Sequence, residues 1–250
     1  MLLCSLMLVP PLLLAGIVLL FTAATYPPMP EALESLEQTG TVDVRSVVVQ
    51  SWPDYHYYAF APKEKIPKKG LILYPGAFID PRSYAPAARA IAQQGYTVVV
   101  VEMPLAFALF GWKRAQHIME AFPLIDTWAV GGHSLGGSSA CKFYNTYPSN
   151  IAGVVLLASR FPREYRCDDR DLKVLALYGT RDGMLTVKMF KEARNQFPSG
   201  TTFVEIRGGN HTQFGWYADG QQRFDEPAEI TLTEQQDIII HTTVDFLDKL

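Results

Sequence analysis

Short, uninterrupted runs of apolar residues recur along the chain and alternate with stretches whose apolar residues are spaced three or four positions apart. Unbroken runs are typical of parallel strands covered on both faces, and the wider spacing is typical of amphipathic helices. The runs predict strands at 44–50, 55–60, 71–74, 97–101, 127–130, 153–158, 173–178 and 202–206. The spaced stretches predict helices at 31–38, 83–94, 113–122, 138–147, 187–197 and 234–250. This order predicts an eight-stranded, mostly parallel, doubly wound α/β sheet with helices on both faces.

Local signals mark the ends of two of these helices. Ser83 is a predicted N-cap, Pro86 falls in the first turn, where proline is tolerated, and Gly95 ends the helix. Near the carboxyl end of the chain, Thr233 and Gln236 have the spacing of a capping box and predict the start of the last helix.

The first 25 residues differ from the rest because they carry no charged side chain and include an almost unbroken apolar run at 12–21. About 20 apolar residues are enough to cross a bilayer. We therefore expect one N-terminal hydrophobic helix at 1–25 that anchors the protein in a membrane. The alternative is a cleaved signal peptide, and hence a secreted or periplasmic protein. A proline-rich linker or stalk follows at 26–40, and the predicted α/β domain occupies 41–250.

Composition excludes several functional classes. The formal net charge is −3 and no basic cluster is present, so no nucleic-acid partner is expected. The three cysteines lack metal-ligand spacing, so no metal site is expected either. Cys141 and Cys167 could form a disulfide if the protein is exported, or could remain two separate thiols. The pattern does not indicate an oligomeric state.

One motif carries the strongest chemical signal. The predicted strand at 127–130 leads through Gly131-Gly132-His133-Ser134-Leu135-Gly136-Gly137 into the predicted helix at 138–147. A strand that runs through G-x-S-x-G into a helix is a nucleophile elbow, in which glycines allow strand and helix to approach closely. The motif therefore presents Ser134 as a candidate nucleophile near a helix N-terminus.

Two further residues fit a serine mechanism. Asp182 follows a predicted strand, at the edge of the sheet where strands end, although an aspartate before a helix is more often an N-cap. His211 lies in a glycine-flanked loop after the last strand, whereas His133 beside the nucleophile is better explained as a brace for the turn. Ser134, Asp182 and His211 are therefore the candidate catalytic residues.

The Ser…Asp…His order of these residues resembles that of α/β-hydrolases over about 41–250. The chain is most similar to compact dienelactone hydrolases and small carboxylesterases, with Tyr74-Pro75-Gly76 after the third strand and Gly-Gly-Asn-His near the end. The resemblance implies an α/β-hydrolase fold and a Ser–His–Asp triad. Only 159–172 separate the sixth and seventh strands, and that stretch is highly charged, so no large cap domain is expected.

The chain departs from lipase-type members of the family at Tyr74-Pro75-Gly76-Ala77, which stands where those members have a His-Gly-Gly run. We expect the backbone N–H groups of Leu135 and Ala77 to form the oxyanion hole, with the N–H of Phe78 as the substitute for that of Ala77. The chemistry requires no metal, nucleotide or other cofactor.

The sequence says less about the substrate. Phe78, Met103, Phe107 and Phe214 could line an apolar substrate pocket, or could equally be core residues. The favoured function is a serine carboxylesterase acting on short-chain, small-molecule esters. A thioesterase or acyltransferase with the same triad is the alternative, and a catalytically silent, membrane-tethered binding module is the least favoured hypothesis.

Overall fold

The computed structural model describes residues 16, 23–38, 40–51, 53–159, 172–217 and 222–250. These residues form one eight-stranded sheet in the order β1-β2-β4-β3-β5-β6-β7-β8. The strands are β1 Val42–Val49, β2 Tyr55–Pro62, β3 Lys69–Tyr74, β4 Thr97–Val101, β5 Thr127–His133, β6 Gly153–Leu157, β7 Lys173–Gly179 and β8 Thr202–Ile206. The helices are α1 Pro30–Glu34, α2 Ala85–Gln93, α3 Ala108–Gly111, α4 Arg114–Ala121, α5 Leu135–Thr146, α6 Val187–Ala193 and α7 Leu232–Asp248.

The pairing of the strands confirms the predicted mostly parallel α/β sheet. β3 to β8 pair in parallel, whereas β2 is antiparallel to both β1 and β4. Val49 pairs with Tyr55, so β1 and β2 form a hairpin. The carboxyl ends of β3, β5, β7 and β8 therefore lie along one edge of the sheet, where the loops that follow them meet.

Alternate residues of each strand face two separate apolar cores. In β3, Leu71 and Leu73 pack in a cluster with residues of α2 and α7, whereas Ile72 and Tyr74 pack in a cluster with residues of α4, α5 and α6. Helices thus cover both faces of the sheet, as predicted. This two-sided burial explains why the strands appear in the sequence as unbroken apolar runs.

The predicted capping box is wrong by two residues. The box is formed by Thr231, whose Oγ1 accepts from the N–H of Glu234 at 3.2 Å, and by Glu234, whose Oε2 accepts from the N–H of Thr231 at 2.8 Å. Thr233 lies in the first turn of α7 and Gln236 in the second. A carboxylate at the third helical position accepts the N-cap N–H and is also stabilised by the positive end of the helix dipole. Glu234 therefore favours a helix that begins after Thr231 over one that begins after Thr233.

The predicted N-cap at Ser83 is also wrong. Ser83 lies inside a 3₁₀-helix at Pro81–Tyr84, and the cap is Asp80, whose side chain accepts from the N–H of Arg82. α2 itself begins at Ala85, with Pro86 in its first turn as predicted.

The hydrophobic helix expected at 1–25 lies almost entirely outside the described residues. Among the residues that are described, no helix is long and apolar enough to cross a membrane. The segment expected to be a linker at 26–40 contacts the α/β domain: Tyr26 forms a bridge with Ile79, and Pro28 forms one with Tyr217. Ala32 in α1 is fully buried.

Candidate active site

Ser134 stands at the turn between β5 and α5, with φ 51° and ψ −119°. A positive φ is strained for a residue with a Cβ, and residues of this kind cluster at functional sites. Two hydrogen bonds hold the turn: Ser134 N–H donates to the carbonyl of Leu157 at 2.9 Å, and Ser159 Oγ–H donates to the carbonyl of Ser134 at 2.7 Å. The serine is thereby held at the carboxyl edge of the sheet, at the positive end of α5.

The glycines on either side of Ser134 are required by close packing. A Cβ on Gly132 would lie 2.3 Å from the carbonyl carbon of Gly136, and a Cβ on Gly136 would lie 2.2 Å from the carbonyl oxygen of Tyr74. Real Cβ atoms do not approach backbone so closely, so a side chain at either position would push α5 away from the sheet. The glycine pattern that predicts the elbow therefore has a direct steric cause in the structure.

His211 and Asp182 are brought together from the loops after β8 and β7. Nδ1 of His211 lies 2.8 Å from Oδ2 of Asp182, and both side chains are almost completely buried. Donation from Nδ1–H to the carboxylate leaves Nε2 as the unprotonated nitrogen. Neither Nε2 of His211 nor Oγ of Ser134 has a hydrogen-bond partner among the described residues. A serine hydroxyl and a basic nitrogen are thus both left available for chemistry.

The second oxygen of Asp182 stabilises a turn. Oδ1 accepts from the N–H of Met184 at 2.9 Å and from the N–H of Leu185 at 2.5 Å. Asp182 therefore does cap backbone N–H groups, as the sequence allowed, but those of this turn and not those of a helix. The N-cap of α6 is Thr186. One oxygen holds the backbone and the other holds the imidazole, so the carboxylate cannot rotate without losing one of the two sets of bonds.

A second buried carboxylate, Asp225, joins the loops that carry Asp182 and His211. Its Oδ1 accepts from the N–H of Gly183 at 3.0 Å and from the N–H of His211 at 3.3 Å. Its Oδ2 accepts from both the N–H and the hydroxyl of Thr212, at 2.8 Å and 2.7 Å. Asp225 therefore fixes the backbone on which the imidazole is mounted.

His133, which we expected to brace the turn at Ser134, is fully buried, and its ring contacts Tyr84, Phe214 and His211. The hydroxyl oxygen of Tyr84 lies 2.8 Å from His133 Nδ1 and accepts from the N–H of Gly76 at 3.0 Å. With the tyrosine proton assigned to Nδ1, the same hydroxyl accepts from Gly76 and donates to His133. The imidazole of His133 stacks on Phe214, and its centroid lies 4.6 Å from that of His211. Burial, together with His211, lowers the pKa of His133 well below its ordinary 6.5, so the ring is neutral.

The expected oxyanion donors differ in whether their N–H groups are engaged. The N–H of Phe78 donates to the carbonyl of Ala106 at 2.8 Å, so the substitute donor is already used. The N–H groups of Ala77 and Leu135 donate to no other residue in the part of the chain that the structure describes. Ala77 follows β3 and Leu135 begins α5, which places both near the turn at Ser134.

The four apolar residues expected to contact substrate fall into two pairs. The rings of Phe78 and Phe107 are 5.8 Å apart, and Phe107 also contacts the largely exposed Phe110 at 5.5 Å. Met103 and Phe214 are instead buried, one in each of the two cores. The structure brings Phe78 and Phe107 together beside Ala77, and it places Met103 and Phe214 in the core.

Residues of this site that the sequence analysis missed include Asp225, Tyr84 and Gln235. Gln235 of α7 is fully buried, and its amide accepts from the N–H of Asn210 and donates to the carbonyl of Asn210, both at 2.9 Å. Tyr84 carried only the signal of an apolar position at helical spacing, and Asp225 only that of a charged loop residue. Their roles depend on partners far away in the sequence.

No group of three His, Cys, Asp or Glu side chains within the described ranges could hold a metal ion. Cys141 is a buried residue of α5, and Cys167, with which it could pair, lies outside the described residues.

The chain belongs to the α/β hydrolase family, because the profile of that family matches residues 70–237, more than half of the chain. No curated protein sequence matches the chain.

Solved structures with the same fold include three enzymes of low sequence identity. A dienelactone hydrolase-like promiscuous phosphotriesterase from metagenomic libraries is 17% identical, with a TM-score of 0.65 over 83% of this chain and 99% of that one. A dienelactone hydrolase from Anabaena variabilis is 13% identical, with a TM-score of 0.62 over 83% and 100%. A propionate-bound esterase from Thermogutta terrifontis is 12% identical, with a TM-score of 0.59 over 84% and 97%. The fold and the resemblance to dienelactone hydrolases and esterases are thus confirmed.

The lowered pKa of His133 predicts a loss of stability in acid. The unfolded chain binds a proton at this residue below its ordinary pKa of 6.5 and the folded chain does not, so stability is complete above pH 6.5 and decreases below it. One such group contributes at most about 1.4 kcal/mol per pH unit. Urea titrations between pH 8 and pH 5 should show this decrease in the parent protein and a smaller one in His133→Gln.

The exposed His241 supplies the matched control. His241→Gln should keep the pH dependence of the parent protein. Equal slopes in the parent protein and in His133→Gln would contradict the prediction.

Proposed function

We propose that the protein is a serine hydrolase that cleaves carboxylic esters through an acyl-enzyme on Ser134. The observation that carries the proposal is the buried His211–Asp182 pair, whose Nε2 has no partner in the described part of the chain. The ring of His211 lies 4.6 Å from that of His133, the residue before the strained Ser134 at the nucleophile elbow. Membership of the α/β hydrolase family and the fold shared with esterases support this chemistry.

In the proposed mechanism, Ser134 Oγ attacks the acyl carbon while its proton passes to Nε2 of His211. The same proton then passes to the leaving alkoxide, and the alcohol departs. Asp182 holds the proton on Nδ1 and stabilises the imidazolium that forms. A water molecule, activated by the same nitrogen, releases the acid and regenerates the serine.

The negative charge that develops on the carbonyl oxygen is assigned to the N–H groups of Leu135 and Ala77. Each donor of this kind typically contributes about 3 kcal/mol to the barrier reduction. Support for this pair comes from the absence of other acceptors for both groups among the described residues, whereas the N–H of Phe78 is engaged by Ala106.

The triad predicts the effects of two substitutions. Ser134→Ala should lower kcat for p-nitrophenyl butyrate at least about 10³-fold. Asp182→Asn should lower it by about 10² to 10⁴, because the amide favours the wrong tautomer of His211. Ser149→Ala, on the exposed turn after α5, should leave kcat unchanged.

Retention of more than a tenth of the activity by Ser134→Ala would remove Ser134 from the mechanism. Labelling of Ser134 by a fluorophosphonate provides an independent measurement of the same nucleophile. Faster turnover when an alcohol or a coenzyme A thiol is added as acceptor would assign the triad to an acyltransferase instead. Faster hydrolysis of an acyl thioester than of the matching oxygen ester would assign it to a thioesterase.

We further propose that the substrates are esters of short acids. Residues 159–172 are too few for a cap of several helices, and among the described residues Phe78 and Phe107 provide an apolar wall for the acyl chain. Each buried methylene contributes about 0.8 kcal/mol only while such a wall is present.

Among p-nitrophenyl esters, kcat/KM should peak at acyl chains of about two to six carbons, because longer chains extend beyond the wall. Phe107→Ala should remove the gain between acetate and butyrate, and the exposed Leu124→Ala, on the opposite edge of the sheet, should not. A preference for long-chain triglycerides, or activation at an oil–water interface, would contradict this proposal.

The third part of the proposal is that residues 1–25 anchor the enzyme in a membrane. The lack of any charge over this stretch supports it. The full-length protein should sediment with membranes and resist carbonate extraction, because an apolar run without charged residues is more stable in the bilayer than in water. Recovery of a soluble protein that begins near Thr25 would indicate a cleaved signal peptide instead.

A further inference from the structure

The short segment Tyr26–Met29, which precedes α1, runs between two loops of the candidate active site. At one end, Tyr26 N–H donates to the carbonyl of Phe78 at 2.7 Å, and Asp80 N–H donates to the carbonyl of Tyr26 at 3.1 Å. At the other end, Met29 N–H donates to the carbonyl of Trp216 at 2.9 Å. We refer to residues 26–29 as the strap.

The first end of the strap leads directly to the proposed oxyanion donor. The peptide group that joins Phe78 to Ile79 accepts from Tyr26 through its carbonyl and donates through Ile79 N–H to the carbonyl of Gly76 at 3.3 Å. The peptide group that joins Gly76 to Ala77 accepts that bond and carries the Ala77 N–H on its other side. Tyr26 therefore begins a chain of hydrogen-bonded peptide groups that ends at Ala77 N–H, and such chains polarise and orient their members.

The backbone in the middle of this chain is strained. Phe78 has φ 58°, and Ala106, which accepts from Phe78 N–H, has φ 52°. Conformations of this kind cost about 1–3 kcal/mol each and persist only when surrounding bonds hold them. The bond from Tyr26 holds Phe78 on its carbonyl side, opposite the bond to Ala106. Loss of the Tyr26 bond would let Phe78 relax and would turn the adjoining peptide groups.

The second end of the strap is attached to the loop that follows His211. Trp216 accepts from Met29 through its carbonyl and donates its own N–H to the carbonyl of Ser83 at 2.8 Å. The rings of Tyr26 and Tyr217 lie 5.7 Å apart. The strap is fixed beyond Met29 by α1, where Ala32 is fully buried.

We propose that the strap is a positioning element of the active site, which sets the direction of the Ala77 N–H through Phe78 and Gly76. This inference rests on the proposed function, because it assigns Ala77 N–H to the oxyanion. It gives residues 26–29 a role in turnover that a simple linker would not have.

The test removes one N–H at a time in the full-length chain. Tyr26→Pro deletes the donor to Phe78, and Tyr26→Ala deletes the same ring but keeps the donor. Residue 26 precedes Pro27 and is therefore already confined to an extended backbone, which proline tolerates. With p-nitrophenyl butyrate, kcat of Tyr26→Pro should be about three- to tenfold below that of Tyr26→Ala, the range of one hydrogen bond.

A merely structural strap would not give this kinetic pattern. An oxyanion donor acts in the transition state, so KM should be equal within the pair. A change in thermal stability with equal kcat in both variants would overturn the proposal.

A second pair of variants, at Met29, tests the strap independently in case Tyr26→Pro does not fold. Met29 has φ −68°, the value that proline requires, so Met29→Pro removes the donor to Trp216 without backbone strain. Its kcat should fall below that of Met29→Ala, with circular dichroism unchanged. Equal kcat within every pair that folds, or failure of both proline variants to fold, would overturn the proposal.

The result for Ser134→Ala separates this proposal from the proposed function. If Ser134→Ala abolishes hydrolysis while both pairs show equal kcat, only the strap is excluded. If Ser134→Ala remains active, the assignment of the oxyanion hole fails, and the role of the strap fails with it.

Discussion

The rest of the site depends on the close approach of α5 to the sheet at Ser134. The serine can stand at φ 51° only because Gly132 and Gly136 carry no Cβ and because Leu157 and Ser159 bond its backbone on both sides. That conformation is costly in isolation, and the parallel strands supply the rigid frame that maintains it. The loops after β3, β7 and β8 then need only to reach one fixed point at the edge of the sheet.

The fold was predictable because burial on both faces leaves a strong signal in the sequence. β4 and β6 are buried along their whole length, and each appears as an unbroken apolar run. The ends of the helices were less predictable because they depend on competition between similar local signals. Thr231 and Thr233 both have a Glu or Gln three residues later, and only the packing of α7 and the charge of Glu234 decide between them.

The candidate nucleophile was predictable from a local motif, whereas its supports were not. Ser134 lies in a run of glycines whose steric role is visible in seven residues of sequence. Tyr84 and His133 are 49 positions apart, and Asp225 and Thr212 are 13 positions apart. The residue types alone do not show that such distant residues are partners, because they meet only when the folded sheet brings their loops together. The strap was not predictable for another reason. Its hydrogen bonds use backbone atoms, so they do not depend on which side chains it carries.

Asp225 has a consequence for the dynamics of the molecule. Its carboxylate is the shared acceptor for the amide hydrogens of Gly183, His211 and Thr212, which belong to two separate loops. An amide of this kind exchanges its hydrogen with solvent only when the bond opens, and here all three bonds end on one buried side chain. The three amides should therefore exchange as a single cooperative unit, so that the loops of the proposed general base and of its partner open and close together.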